Sequence, residues 1–187
     1  MSKIPKTPSP EELNSLLMLY QNRKFEDAEN LAISLTKKFP KHPFSWKVLG
    51  VILKNTGRAS EALIANQKTI VIDPQDVEAY NNMGNTLQEL GRLEEAEPIY
   101  KQAIALKLEF PEAHNNLGNT LKDLGRLEEA EASYNQAIAL KPAYAEAHNN
   151  LGVALKELGR LEEAIASYEK ATALKPDFAT AYGLSLI

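Results

Sequence analysis

Asn81, Asn82 and Asn85 recur as Asn115, Asn116 and Asn119, and again as Asn149 and Asn150, at steps of 34 residues. Asparagine forms helices poorly, so eight of them in three equivalent stretches need a reason. A carboxamide offers two donors and an acceptor. A regular row of carboxamides matches the alternating N–H and C=O groups of an extended peptide, whatever that peptide's side chains. Gln88, Lys122 and Lys156, with Glu89, Asp123 and Glu157 beside them, could then read charge.

Other chemistry is thin. His114 and His148 fall at the positions held by Trp46 and Tyr80 in the equivalent stretches, which reads as an aromatic packing slot. Two histidines on helices about 8–10 Å apart are too few ligands for a metal. The pairs Glu94/Glu95, Glu128/Glu129 and Glu162/Glu163 repeat with the same step and suit helix starts. Adjacent residues on a helix point apart, so these pairs are poor acid–base dyads. No phosphate-binding loop, dinucleotide fingerprint or nucleophile elbow is present. The expectation is no catalytic residue, no metal and no cofactor.

Composition narrows the class further. The 187 residues are 44% hydrophobic and 25% charged, too apolar for a disordered chain. With no cysteine, disulfide scaffolds, thiolate zinc sites and cysteine nucleophiles are excluded. A formal charge of −4 speaks against a phosphate-backbone binder, so no nucleic acid is expected as a partner. The charge is uneven: residues 1–76 carry a net +3 and residues 77–187 a net −7. No stretch reaches the ~18 apolar residues of a membrane span. The opening MSKIPKTPSP lacks the apolar segment of a secretory signal and reads as a short disordered leader, residues 1–8. Without sequons, cysteines or targeting, a cytoplasmic location is expected.

The elements that must position the asparagines follow from the repeat itself. Residues 111–144 and 145–178 are identical at 24 of 34 positions. Gly50, Gly84, Gly118 and Gly152 keep the step, as do Gly57, Gly91, Gly125 and Gly159, and Ala28, Ala62, Ala96, Ala130 and Ala164. Within 145–178, Ala147, Leu151, Ala154, Leu155 and Leu158 give the spacing of a helix buried on one face, stopped at Gly159. The second stretch, 160–175, begins with Glu162 and Glu163, carries Lys170 and Lys175 towards its end, and is blocked by Pro176. Each unit is thus an antiparallel helix pair. Gly152 and Ala164 sit where two backbones can approach closely.

One such pair cannot bury a core, but stacked pairs can. The fold class is all-α, an α-solenoid of stacked antiparallel helix pairs. Five units span 9–178: a degenerate one at 9–42, then 43–76, 77–110, 111–144 and 145–178. The first has Leu16 and Arg23 where the others have glycine. Residues 179–187 read as a partial first helix of a further unit, stopping on apolar residues. That is the expected look of an N-terminal piece of a longer protein. Leu108 stands where other units have proline and Pro111 follows three residues later, which moves the helix break without removing it. Pro98, inside a second helix, predicts a local irregularity.

The period and pattern resemble the tetratricopeptide repeat family. Trp46, Leu49, Gly50 and Leu53 carry the first half of its signature, and Ala130, Tyr134, Ala137 and Pro142 the second. The resemblance covers about 170 of the 187 residues. It implies a right-handed superhelix whose first helices line a concave face, and a non-enzymatic scaffold that binds a protein or peptide there. The row Asn82, Asn116, Asn150 resembles the asparagine ladder in the repeat region of O-linked N-acetylglucosamine transferases, which holds substrate backbone. Val48 breaks the row one unit earlier. The family's carboxylate clamp is matched at Lys47 and Asn82 and missed at Val51, Glu112 and Asn116, so a chaperone tail is not the expected ligand.

The expected peptide-binding residues are Asn81, Asn82, Asn85, Gln88, Asn115, Asn116, Asn119, Lys122, Asn149, Asn150 and Lys156. For the row Asn82, Asn116, Asn150, hydrogen bonding between neighbouring repeats stands as the alternative to ligand contact. Asn81, Asn115, Asn149, Asn85 and Asn119 are expected to point further outward, towards ligand. Two other functions are open: a substrate-recruiting arm of a larger bacterial glycosyltransferase- or sulfotransferase-type enzyme, and a homo-oligomer through terminal repeats, the apolar end after 178 docking on another copy's first unit.

Overall fold

The computed structural model of the chain describes residues 7–176. The expected leader, apart from Thr7 and Pro8, and the expected partial helix 179–187 lie outside the described residues. The rest is ten helices, with no strand among the described residues: α1 (Pro10–Gln21), α2 (Phe25–Lys38), α3 (Pro43–Asn55), α4 (Ala59–Ile72), α5 (Val77–Glu89), α6 (Leu93–Leu106), α7 (Pro111–Asp123), α8 (Leu127–Leu140), α9 (Ala145–Glu157) and α10 (Leu161–Leu174). They fall into two compact units, one ending at Arg92 and the other beginning at Leu93. In the first, α1 packs on α2, α2 on α3, α3 on α4 and α4 on α5. In the second, α6 packs on α7, and α7, α8, α9 and α10 pack in sequence.

Helix boundaries follow from local chemistry. Pro10, Pro43 and Pro111 start α1, α3 and α7, where the missing N–H costs nothing. Ser9 and Glu12 form a reciprocal capping box at α1. The sharp turn between paired helices needs a left-handed residue, supplied by Gly57, Gly91, Gly125 and Gly159 at φ between 69° and 77°. In the first pair Arg23 takes that conformation, with φ 58°. The moved break holds: α7 begins on Pro111, and Leu108 is exposed in the preceding loop. α6 runs through Pro98 and has the same length as α8, 14 residues.

Packing within the pairs α3–α4, α7–α8 and α9–α10 includes one close contact at a glycine. The Tyr134 ring of α8 lies over Gly118 of α7, and the Tyr168 ring of α10 over Gly152 of α9. In α3 and α4 the arrangement keeps the glycine, Gly50, but Asn66 replaces the ring. Buried Asn66 then donates to Thr86 Oγ1 at 3.0 Å and to the Asn82 carbonyl at 3.3 Å, tying α4 to α5. The first pair inverts the sizes: Leu16, in the glycine's place, and Ala32, in the ring's place, are both fully buried in one core cluster. The total volume is kept, so the pair closes without glycine.

A second tie repeats with the fold. Arg126 clamps Glu129 with two nitrogens and reaches Glu97 at 2.7 Å; Arg160 does the same with Glu163 and reaches Glu131 at 2.6 Å. Arg58 bridges Glu61 and Glu29 in the first unit. Each arginine joins its own helix start to the preceding second helix, with the two-pronged geometry that makes guanidinium–carboxylate pairs specific.

The aromatic slot is a pin on the preceding loop. Trp46 Nε1 donates to the Pro40 carbonyl at 3.1 Å, and His148 Nε2 lies 3.0 Å from the Pro142 carbonyl. His114 bonds the Leu108 carbonyl in the same way. Burial holds the His114 pKa below the ordinary imidazole value, and the bond to Leu108 offsets only part of this. The folded chain therefore binds fewer protons than the unfolded one near the unfolded value of about 6.5. Stability from this group is full above that pH and is lost as pH falls through the folded pKa. Urea midpoints measured from pH 7.5 to pH 5 should fall less steeply for His114→Phe than for the wild type.

Candidate peptide-binding faces of the first helices

Each unit presents faces of its own first helices, and the two differ in kind. In the second unit the face belongs to α7 and α9. The 34-residue step places Asn115 and Asn149 at one helical position and Asn116 and Asn150 at the next. Asn150 Nδ2 donates to Asn115 Oδ1 at 3.1 Å, and Asn149 Nδ2 donates to Asn150 Oδ1 at 3.4 Å. A carboxamide chain therefore runs from α9 to α7.

The expectation that Asn115 and Asn149 point outward is corrected. They are only 5% and 3% exposed: the Asn115 amide accepts from the neighbouring first helix, and the Asn149 amide donates to Asn150 beside it. Asn119 is half-buried, and its Oδ1 accepts the Tyr134 hydroxyl at 2.8 Å, so its acceptor is engaged by the helix pair. Asn116 is half-buried, and its backbone carbonyl accepts the Thr120 hydroxyl at 3.1 Å. Lys122 pairs with Asp123 at 2.6 Å, and Lys156 is exposed.

In the first unit Asn81, Asn82, Asn85 and Gln88 are all half-buried on α5. Asn82 borders an open trough of about 270 Å³. Three first helices line it: Leu17 and Tyr20 from α1, Lys47, Val48 and Val51 from α3, Glu78 and Asn82 from α5. Leu17, Val48 and Val51 make an aliphatic surface between polar edges. Lys47 is held by Asp76 at 2.8 Å, and Tyr20 receives a hydrogen bond from Asn55 at 3.2 Å.

Sequence reasoning did not count Leu17, Tyr20 and Val51 among the ligand contacts. It weighed the first repeat only as a degenerate unit on which another copy could dock, Val48 only as a break in the asparagine row, and Val51 only as a departure from the carboxylate clamp. The readable signal was that these positions share the phase of the asparagine stripe while carrying apolar residues.

Nothing on these faces is arranged for acid–base work. Burial pushes the Tyr134 phenol up, with the charges of Asp123 and Glu157 adding to the shift, so it stays protonated at neutral pH. Among the described residues no three His, Asp or Glu side chains are grouped to hold a metal ion. No helix there is long and apolar enough to cross a membrane.

Comparison with known proteins bears on these faces. Family models described as tetratricopeptide or TPR repeats match residues 17–77, 65–97, 84–125, 118–159 and 145–178. Comparison with curated protein sequences gives no match. Among solved structures, MamA from Desulfovibrio magneticus RS-1 superposes with TM-score 0.80 at 19% identity, over 89% of this chain and 94% of that one. TTC0263, a thermophilic TPR protein of Thermus thermophilus, does so with TM-score 0.76 at 25% identity, over 94% and 97%. YrrB, described as a TPR protein with an unusual peptide-binding site, gives TM-score 0.75 at 20% identity, over 96% and 93%.

Proposed function

The chain belongs to the tetratricopeptide repeat family, whose members serve as protein-interaction scaffolds, and from that premise we propose that it binds an extended peptide segment on its first-helix faces. The observation that carries this reading is the trough on α1, α3 and α5. Its volume is just under the ~300 Å³ at which small-molecule pockets begin, and it is open rather than enclosed. It suits one apolar side chain of a longer segment. Asn82, which lines its edge, would offer its carboxamide to that segment's backbone. In the second unit the exposed Lys156 favours an acidic side chain on the ligand, while the charge of Lys122 is already met by Asp123. Likeness to YrrB, whose description includes a peptide-binding site, agrees with this reading.

The test is enrichment of a displayed random peptide library on the full chain, followed by titration of the selected peptides. Val51→Arg puts a charge into the trough and should weaken them at least ~10-fold, the loss of roughly 1.4 kcal/mol. Gln67→Arg, exposed on α4, should leave affinity unchanged. Failure to enrich any peptide, or equal binding by both variants, removes the proposal.

A further inference from the structure

A groove of about 220 Å³ separates the second helices α2 and α4 of the first unit. Its floor is Trp46, Leu49 and Leu53 of α3, and its walls carry Ile33 of α2 and Ile64 of α4. The groove lies inside the array, with α1 before α2 and α5 after α4, so its exposure owes nothing to where the chain ends. Ile64 is nevertheless 56% exposed, and Val71, two turns further along α4, is 77% exposed. The fold does not require this apolar character. In the second unit Ile33 is answered by Lys101 and Asn135, Ile64 by Ala132 and Ala166, and Trp46 by His114 and His148.

The two walls share one pattern. Spacings of three and four residues put Glu29, Ile33 and Lys37 in a row on α2, and Glu61, Ile64 and Lys68 in a row on α4. Both rows read acid, isoleucine, lysine in the same direction. Glu26, a turn before Glu29, is exposed and extends the acidic end. Arg58 bridges Glu29 and Glu61. Three carboxylates against one guanidinium leave that end negative, while the exposed Lys37 and Lys68 make the other end positive.

We propose that this face is covered by the same face of a second copy, across a two-fold axis that sets α2 on α2 and α4 on α4 in opposite directions. That turn lays each acidic end over the partner's lysine end and brings the isoleucines together at the centre. The antiparallel setting also opposes the helix dipoles. A foreign segment would have to carry acid, aliphatic and base in the reverse order; a second copy carries them so by symmetry. The head-to-tail pairing through terminal repeats expected from sequence makes no use of the pattern. The surface is separate from the first-helix trough and does not depend on the peptide reading. Two 14-residue helices, each about 21 Å long, fall short of the ~800 Å² per partner of a standard interface, so the dimer is weak and depends on concentration.

Sedimentation equilibrium of the full chain over roughly 5–500 μM reads the result. The mass should rise from 20.7 kDa towards twice that value. Association should weaken as salt is raised, because the edges of the contact are ionic. Ile64→Glu should weaken it at least ~10-fold with melting unchanged, since that side chain is exposed in the single copy. Lys37→Glu and Glu26→Lys, both at exposed positions of α2, should each weaken it. An equimolar mixture of those two variants should recover the dimer, because acid then faces base again at both ends. Met18→Glu, on α1, should change nothing. A monomer throughout, or a fall in melting temperature for Ile64→Glu, would mean that the face is free or covered from within the chain, and overturns the proposal. Failure of the mixture to recover the dimer overturns the antiparallel pairing on which it rests. Growth beyond a dimer, or loss of association in Met18→Glu, overturns it in favour of the terminal repeats.

Discussion

Gly118→Ala lowers stability by about 2–3 kcal/mol, far more than one added methyl group suggests. A Cβ at this position would lie 2.5 Å from Tyr134 Cε1 and 2.7 Å from Cδ1. The ring cannot swing aside, because it is fully buried and its hydroxyl is held by Asn119 at 2.8 Å. Relief must come from moving α7 away from α8, which opens the pair along its length. Gly152→Ala meets Tyr168 at 2.7 Å but costs less, since that ring is half-buried rather than fully buried. Gly125→Ala separates the two uses of glycine. Nothing lies within 4 Å of its added Cβ, so its cost, about 1–2 kcal/mol, comes from φ +76° alone. Urea unfolding measures all three. In a Tyr134→Ala background, itself about 3–5 kcal/mol less stable, the cost of Gly118→Ala should nearly vanish. A Gly118→Ala protein within a few tenths of a kcal/mol of wild type would show that the ring does not hold the pair at its present spacing.

Those glycines also mark how far the fold could be read before any coordinates. Gly50, Gly118 and Gly152 share one phase and Gly57, Gly91, Gly125 and Gly159 another, and the two sets report different constraints, close approach and left-handed backbone. Periodicity carries both, so the helix pairs, their order and their turns were legible. The first repeat was legible only as degenerate. Its logic, Leu16 against Ala32 in place of small against large, needs two positions to be read together across a helix pair. The arginine clamps escaped for a related reason. Arg58, Arg92, Arg126 and Arg160 keep the 34-residue step in plain view, but the carboxylates reached by Arg58, Arg126 and Arg160 lie 29 residues back, on the preceding repeat, and no single-unit pattern shows that. The site was harder still. Helical phase says that Asn115 and Asn116 point about 100° apart, but not which of the two directions meets the neighbouring helix. That depends on how one pair leans on the next, which is tertiary information.

The buried amides therefore turn an expected binding effect into a stability effect. Asn115→Ala removes the acceptor for Asn150 Nδ2 and leaves that amide half-buried without its 3.1 Å partner. Stranding a polar group in this way costs about 1–3 kcal/mol, or roughly 2–12 °C in melting temperature for a chain of this size. Asn149→Ala should act in the same direction and less strongly, because its bond to Asn150 is long at 3.4 Å. Lys156→Ala, on the exposed edge of the same helix, should leave melting unchanged. Thermal melts of the three variants check the order. A double-mutant cycle isolates the pair: Asn115→Ala and Asn150→Ala together should cost less than the two costs added, by about 1 kcal/mol. If the costs simply add, the two amides act independently and the chain from α9 to α7 holds nothing. If the cycle closes as expected, loss of peptide binding in an Asn115 or Asn149 variant is evidence about folding. The ligand-contact question then belongs to Val51, Asn82, Lys122 and Lys156, whose side chains are at least partly open to solvent.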